Sequence, residues 1–427
     1  MDLLLIIIAS YFIINKTKLE WALVIIMALG TNLFQASKIF KGILLFPNIT
    51  DAALLLIILL FFIFKRQENP NIKPIYQTTM LLLIYVACVA IIDIIINGTS
   101  FISVLKTSRH WLCLLAIFVI PQIPYNTLCK SLKIVFYFTI IISSINIVEF
   151  LFGTSYFTKT IVEGGIKRGA LPSYYALFYT FLIFTDYYKF SKIKKYLFLG
   201  ILIASLLVST TRSISLAVVL GIAICIWYLS NNKLSSYLKL GGLCVVIYLA
   251  SFALPSLNRR FNDAFKEIAG IEQSSKNLDT EGNMTFRLYM LIERYQYIRN
   301  NTQFYAFGIG NVIEQNFPTT FTIGLYDEEM QRPTQLDTGD ISWTLIILRL
   351  GMIGLIIYLC FIFRFILFKH QIPKDKLLIA TKAYLISNLL IISFAGSYFA
   401  RGEFWIMPII CISIISKSIT ALKKNKI

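Results

Sequence analysis

The stretch "ISWTLIILRLGMIGLIIYLCFIF", residues 341–363, decides the fold. It holds one charge, Arg349, in an otherwise apolar or weakly polar run. A helix rises about 1.5 Å per residue, so a run of this length crosses the roughly 30 Å of bilayer hydrocarbon. A helix apolar on every side has no water-facing stripe and belongs inside a core or a membrane. In lipid the backbone polar groups must be satisfied within the segment, which a helix does.

Similar runs fill the rest of the chain. Working outward, spans are expected at about 2–14, 21–36, 51–64, 78–96, 108–123, 134–152, 171–186, 196–209, 213–230, 239–255, 341–363, 379–397 and 404–420. That makes thirteen; the first three are short, so twelve stays open. The chain of 427 residues is 57% hydrophobic, with a mean hydropathy of +0.73, far more apolar than a water-soluble protein of this length requires. The fold class expected is an all-α polytopic membrane protein of about 12–13 transmembrane helices, with one large external loop containing short helices. The start, "MDLLLIIIASYFIIN", has neither a basic n-region nor a small-residue cleavage site and reads as a first span.

The seven cysteines form no CxxC pair or Cys/His cluster, and the two histidines, His110 and His370, are far apart. Neither a disulfide framework nor a histidine-ligated metal site is expected. The net charge of +18 raises nucleic acid as a partner, but its distribution argues against that. The lysines sit in short links between apolar runs, which is a topology signal.

Orientation follows from those links. "NKTK", "FKRQENPNIK", "YNTLCKSLK", "YYKFSKIKK", "SNNKLSSYLK", "FRFILFKHQIPKDK" and the tail "KKNKI" alternate with links poorer in lysine. The basic set should be cytoplasmic. The chain then divides into an N-terminal transmembrane bundle (1–254), a large external loop (255–340), and C-terminal helices with a cytoplasmic tail (341–427).

Arginine follows a different distribution from lysine. Of thirteen arginines, Arg66 and Arg364 fall on the cytoplasmic side and Arg349 within a span. The others, Arg109, Arg168, Arg212, Arg259, Arg260, Arg287, Arg294, Arg299, Arg332 and Arg401, fall on the external side. Arginine offers a planar fork of donors that grips phosphate or carboxylate bidentately and stays charged at accessible pH. An arginine near a span end also snorkels to the interface with no further role, and others pair with the acids of the long loop. Arg212 stands out. In "LLVSTTRSISLAVVLG", residues 206–221, it occupies a hairpin between two spans, too short to be anything but their junction. An anionic ligand at the outer leaflet would account for it.

Within the long loop, residues from Met284 to about Arg299 have helical spacing, with Phe286, Met290, Ile292, Tyr295 and Ile298 largely on one side. Arg287, Glu293 and Arg294 take other positions, and Asn283 is a candidate cap. "NNTQFYAFGIGN" follows, where Gly308 and Gly310 permit a tight turn and a close backbone approach. Gly-Ile-Gly alone is weak evidence for phosphate binding; a plain turn explains it as well. The acidic run Asp327–Glu329 reads as a solvated tip. Asp337 and Asp340 stand at the mouth of the next span. A carboxylate there would serve as a general base or orient a sugar hydroxyl. Asp340 would equally cap the helix, its charge favoured by the dipole.

"TTRSISLAVVLG" at 210–221, a large external loop carrying "NMTFRLYMLIERYQYI" and "FGIGN", and a span opening "DTGDISWTLIILRLGMIGLIIYL" together resemble the Wzy-type O-antigen polymerase and O-antigen ligase superfamily. "GIKRGALPSYYALFYTFL" at 165–182 resembles the family's arginine-containing loop entering a span. The resemblance implies a glycosyltransferase acting on undecaprenyl-diphosphate-linked glycans at the periplasmic face of the bacterial inner membrane. Arg168, Arg212 and Arg287 match the family's external arginines. Arg212, Arg287 and Asp340 are the expected catalytic residues; Arg168, Arg294, Arg332 and Asp337 are expected to bind substrate. The family's ligases carry a histidine late in the large loop. Here that region reads "QLDTGDISW", so the polymerase branch fits better than a ligase that transfers glycan to lipid A–core. A lipid-linked oligosaccharide flippase is a further alternative, but such carriers usually show internal repeats, and none is evident here. The partners implied are lipid-linked glycans, membrane lipids and a chain-length regulator. No cofactor and no essential metal is implied, although the acidic run leaves a metal open.

Overall fold

A computed structural model describes residues 2–31, 50–64, 69–154, 160–163, 166–169, 174–208, 212–230, 284–314, 317, 321–323, 325–327, 332–336, 341–369 and 374–424. The expected span at 239–255 and the cap at Asn283 lie outside them. The helices are α1 (Asp2–Ile14), α2 (Leu19–Gly30), α3 (Thr50–Ile63) and α4 (Lys73–Ile95). Next come α5 (Phe101–Ser108), the four-residue α6 (Ala116–Val119), α7 (Tyr125–Phe152), α8 (Tyr174–Phe184), α9 (Lys192–Val208) and α10 (Arg212–Leu229). The loop contributes α11 (Met284–Asn300) and the single turn α12 (Thr302–Tyr305). The chain closes with α13 (Ser342–Ile366), α14 (Lys376–Leu390) and α15 (Ile406–Lys424). The molecule is an all-α polytopic membrane protein. Six helical segments among the described residues are long and apolar enough to cross a membrane, and five shorter apolar helices accompany them.

Two differences from the expected pattern bear on the site. The span expected at 108–123 is not one α-helix: α5 passes at Arg109 into a 3₁₀ run to Leu115 and reaches Gln122 through α6 and a second 3₁₀ turn. Pro121 lies in that last turn and cannot continue a helix. Two short antiparallel hairpins also occur. β1 (Thr160–Glu163) pairs with β2 (Ile166–Gly169), and β3 (Leu325–Asp327) pairs with β4 (Arg332–Thr334).

α8 is buried along the described length from Tyr175 to Ile183, and the span 402–419 is almost wholly enclosed. α4 and α7 instead expose Leu81, Ile84, Ile91, Ile141, Val148 and Leu151, apolar side chains on an outer surface that suits lipid. The basic links gather at one end of the bundle. Lys195 pairs with Asp186 at 2.7 Å. Lys376 Nζ donates to the Asp186 carbonyl and Lys374 Nζ to the Leu229 carbonyl. The turns around 392–405 close the opposite end.

α11 lays Phe286 and Met290 into the main core, and Ile298 into a second cluster with Ile309, Phe321, Leu336, Ile347 and Leu348. Loop and span thus pack together in both clusters. Arg294 falls on the buried stripe of α11, four residues from Met290 and from Ile298, while Ile292 is exposed. This corrects the expected face. The stripe accepts a cation because Phe321 lies 4.3 Å from the guanidinium and Glu293 pairs with it at 2.8 Å.

α13 is broken at Gly351, whose φ of 64° and ψ of −167° leave the helical region. The loop segment 306–312 docks into the break. Ile309 N–H donates to the Leu348 carbonyl at 2.7 Å, and Ile353 N–H donates to the Ala306 carbonyl at 3.2 Å. The Tyr85 hydroxyl, from α4, donates to the Leu350 carbonyl at 2.6 Å. The backbone groups freed by the kink are therefore satisfied, as the apolar surroundings demand. A Cβ at Gly351 would stand 2.4 Å from the Ala306 oxygen, and one at Gly308 2.5 Å from the Leu348 oxygen. The close backbone approach expected at "FGIGN" is thus an approach to a transmembrane helix.

Candidate active site

Asp93 is a buried carboxylate near the C-terminal end of α4, 2% exposed. It accepts from Asn311 N at 2.6 Å, Asn311 Nδ2 at 2.8 Å and Asn97 Nδ2 at 3.0 Å. The Asn311 Oδ1 in turn accepts from the Thr107 hydroxyl at 2.9 Å. One asparagine therefore ties the docked loop to α4 and α5. Arg349, from the first half of α13, donates to the carbonyls of Gly310 and Val312.

These contacts form one wall of a cavity of about 260 Å³ at the end of the bundle opposite the lysine-bearing links. α3 contributes Thr50; the α5-to-3₁₀ junction contributes Lys106, Thr107, Arg109, His110 and Trp111. Asn311 enters from the loop, Leu345, Arg349 and Leu350 from α13, and Ser397, Arg401 and Glu403 from the closing turns. The 3₁₀ run packs against the turn at 402–405. That contact needs glycine: a Cβ at Gly402 would stand 2.0 Å from the His110 carbonyl oxygen.

Four cations, Lys106, Arg109, Arg349 and Arg401, line this space. Arg109 Nε is paired with Asp51 at 2.8 Å, both side chains partly exposed. Arg349 is oriented in part by the carbonyl oxygens of Gly310 and Val312. Arg401 is exposed. The His110 ring lies against Trp111, centroids 4.9 Å apart. Glu403 is 4% exposed, and its Oε2 is buried with no hydrogen-bond partner among the described residues. A concave, positively charged space with few opposing carboxylates binds anions, and its charge acts more strongly there than in open water.

The residues expected from the sequence are distributed as follows. Arg212 is the first residue of α10, which packs along α14 and reaches the turn 392–394. That turn is tied to α13 by Trp343 Nε1 donating to the Ser393 hydroxyl at 2.8 Å. Arg168 lies in β2 opposite Ile161, and Arg332 in β4 opposite Asp327. Arg287 is half-buried on α11. Arg294 is enclosed and reaches the Gln335 carbonyl at 3.4 Å. Burial pulls its guanidinium down to about 10, against the fields of Glu293 and Glu314, so it is still a cation at neutral pH. Asp337 and Asp340 lie outside the described residues. Neither Arg287 nor Arg294, the two of the set whose side chains are described, lines the cavity.

The cavity brings in residues that the sequence reading left out of the site. The signals were present. Arg349 is the one charge in a long span, Arg109 and His110 are adjacent at a span end, and "ARGEFWIMPII" sets Arg401 and Glu403 at the mouth of an apolar run.

The fold and the cavity define a multi-pass membrane protein with an anion-attracting site at one membrane face. Residues 197–359 match the family model described as O-Antigen ligase, which bears out the resemblance to the O-antigen polymerase and ligase superfamily. That family takes in polymerases as well as ligases, enzymes that act on lipid-linked glycans in membranes. The matched segment runs from α9 into α13 and includes Arg212, Arg287 and Arg349. No curated protein matches the chain.

Proposed function

We propose that this chain polymerises undecaprenyl-diphosphate-linked oligosaccharide repeat units at the periplasmic face of the bacterial inner membrane. The observation that carries the reading is the cavity lined by Lys106, Arg109, Arg349 and Arg401 at the end of the bundle away from the basic links. A lipid-linked diphosphate lies at such a surface. In the reaction a hydroxyl of one glycan attacks the anomeric carbon of another, and the diphosphate leaves with the bonding pair. Preorganised cations meet the charge that grows on the leaving group, and the protein aligns two large glycans. In this reading the cavity's cations hold the diphosphate, with Arg212 and Arg287 closing on it. Arg168 and Arg332 serve glycan binding, together with Asp337, Asp340 acts at the mouth of α13, and the enclosed Arg294 supports the loop that carries the binding surface. The loop 255–340 stands in the periplasm between the bundles 1–254 and 341–427, and a chain-length regulator is an expected partner.

A ligase is the second reading. The matched family model is described by that activity, and His110 supplies the cavity with a histidine from another element than the loop. Deletion separates the readings. Surface polysaccharide with a single repeat unit identifies a polymerase; none on the lipid A–core identifies a ligase; lipid-linked units accumulating inside the cell identify a flippase.

A further inference from the structure

The cavity contains a carboxylate, Glu403, which interacts with Arg401 and the Thr50 hydroxyl yet leaves one oxygen unengaged. Asp51 is engaged by Arg109 at 2.8 Å. Glu403 is different. It lines the same cavity, is 4% exposed, and its Oε2 is buried with no hydrogen-bond partner among the described residues. A buried polar oxygen without a partner is costly, and such an exception calls for an explanation. Arg401, two residues away, is on the same wall. The cavity thus has cations on its walls and, at its lining, a carboxylate oxygen that no described group binds.

We propose that Glu403 is the catalytic base that binds the attacking acceptor hydroxyl and takes its proton. The assignment rests on the glycosyl-transfer reading above. Oε2 accepts a hydrogen bond from the hydroxyl. As the hydroxyl oxygen forms its bond to the donor's anomeric carbon, its proton passes to Oε2. The bond from that carbon to the diphosphate oxygen breaks, and its electron pair leaves with the lipid diphosphate, facing Arg349 and Arg401. The proton returns to water through the open mouth of the cavity once the product leaves. A positioned base of this kind contributes about 10²–10⁴-fold in rate.

The test uses the full chain in lipid nanodiscs with a lipid-linked single repeat as donor. Two acceptors are offered, a second lipid-linked repeat and lipid A–core. Glu403→Gln is expected to accumulate like wild type, because it exchanges a carboxylate oxygen that holds nothing in the fold. It should retain bound donor within about twofold, measured by mass spectrometry of the co-purified lipid, and transfer at least ~100-fold more slowly. Glu403→Asp, a carboxylate one methylene short, should keep an intermediate rate. Transfer by Glu403→Gln within about threefold of wild type overturns the proposal. So does parallel loss of donor binding, which would make Glu403 part of the donor site, and so does failure to accumulate, which would make it a structural residue. Wild type that transfers only to lipid A–core corrects the polymerase reading and still supports Glu403 if the variant fails on that product. Wild type that transfers to neither acceptor overturns both.

Discussion

Arg349 and Arg212 are both arginines in apolar sequence, one inside a helix and the other at the first position of one. The Arg349 guanidinium is fixed by the carbonyls of Gly310 and Val312 at the wall of the cavity. Arg212 opens α10, where the helix dipole adds positive potential at the N-terminus. A helix N-terminus suits phosphate oxygens, and arginine is the residue type whose fork of donors matches them. Arg212→Ala is expected to insert and accumulate normally while chain extension falls by about 10²–10³-fold, the usual loss for one preorganised donor. Arg212→Lys should restore only part of it, since charge returns without the bidentate geometry. Polymer length on a gel beside membrane abundance checks both. Normal length with alanine would return Arg212 to an interface role.

At the scale of elements, the working part is the junction of α13 with the loop segment 306–312. Its strength comes from backbone pairing into the kink, the Asp93–Asn311 contacts, and the stacking of Phe307 on Tyr85. Gly351→Ala would place a side chain at φ 64° and 2.4 Å from the Ala306 oxygen, so the dock should open, at a cost of at least about 2 kcal/mol. Asn311→Ala removes one donor from a buried carboxylate and should cost about 1–3 kcal/mol. Thermal unfolding of the purified protein checks both, and an unchanged transition for Gly351→Ala would contradict the docking account. This junction also marks where reading the sequence stops. The apolar runs were legible because lipid imposes length and composition on a span. α11 was legible because Phe286, Met290 and Ile298 keep a helical period. The kink was not, because Gly351 looks the same whether it packs a helix closely or breaks it, and its partner lies some forty residues away in a loop. Arg294 misled for a related reason. Its stripe position is set by Phe321 and Glu293, and the ring contact is a tertiary one.

Across the whole molecule, the ends of the bundle differ in charge chemistry. Lysines at one end hold loops by contacts such as Lys195 with Asp186, while the other end gathers arginines around a cavity. That polarity supports the proposed placement of the site at the outer leaflet, and the central claim is that the cavity's cations hold a lipid-linked diphosphate during glycan polymerisation. Arg401 tests it most cleanly, because it is exposed on the cavity and has no part in docking the loop. The measurement is surface-polysaccharide length in a deletion strain complemented with wild type or Arg401→Ala at matched membrane abundance. The expected result is a full ladder for wild type and a collapse towards single repeat units for Arg401→Ala, from a loss of about a hundredfold or more in rate. A full ladder from Arg401→Ala at normal abundance would contradict the claim.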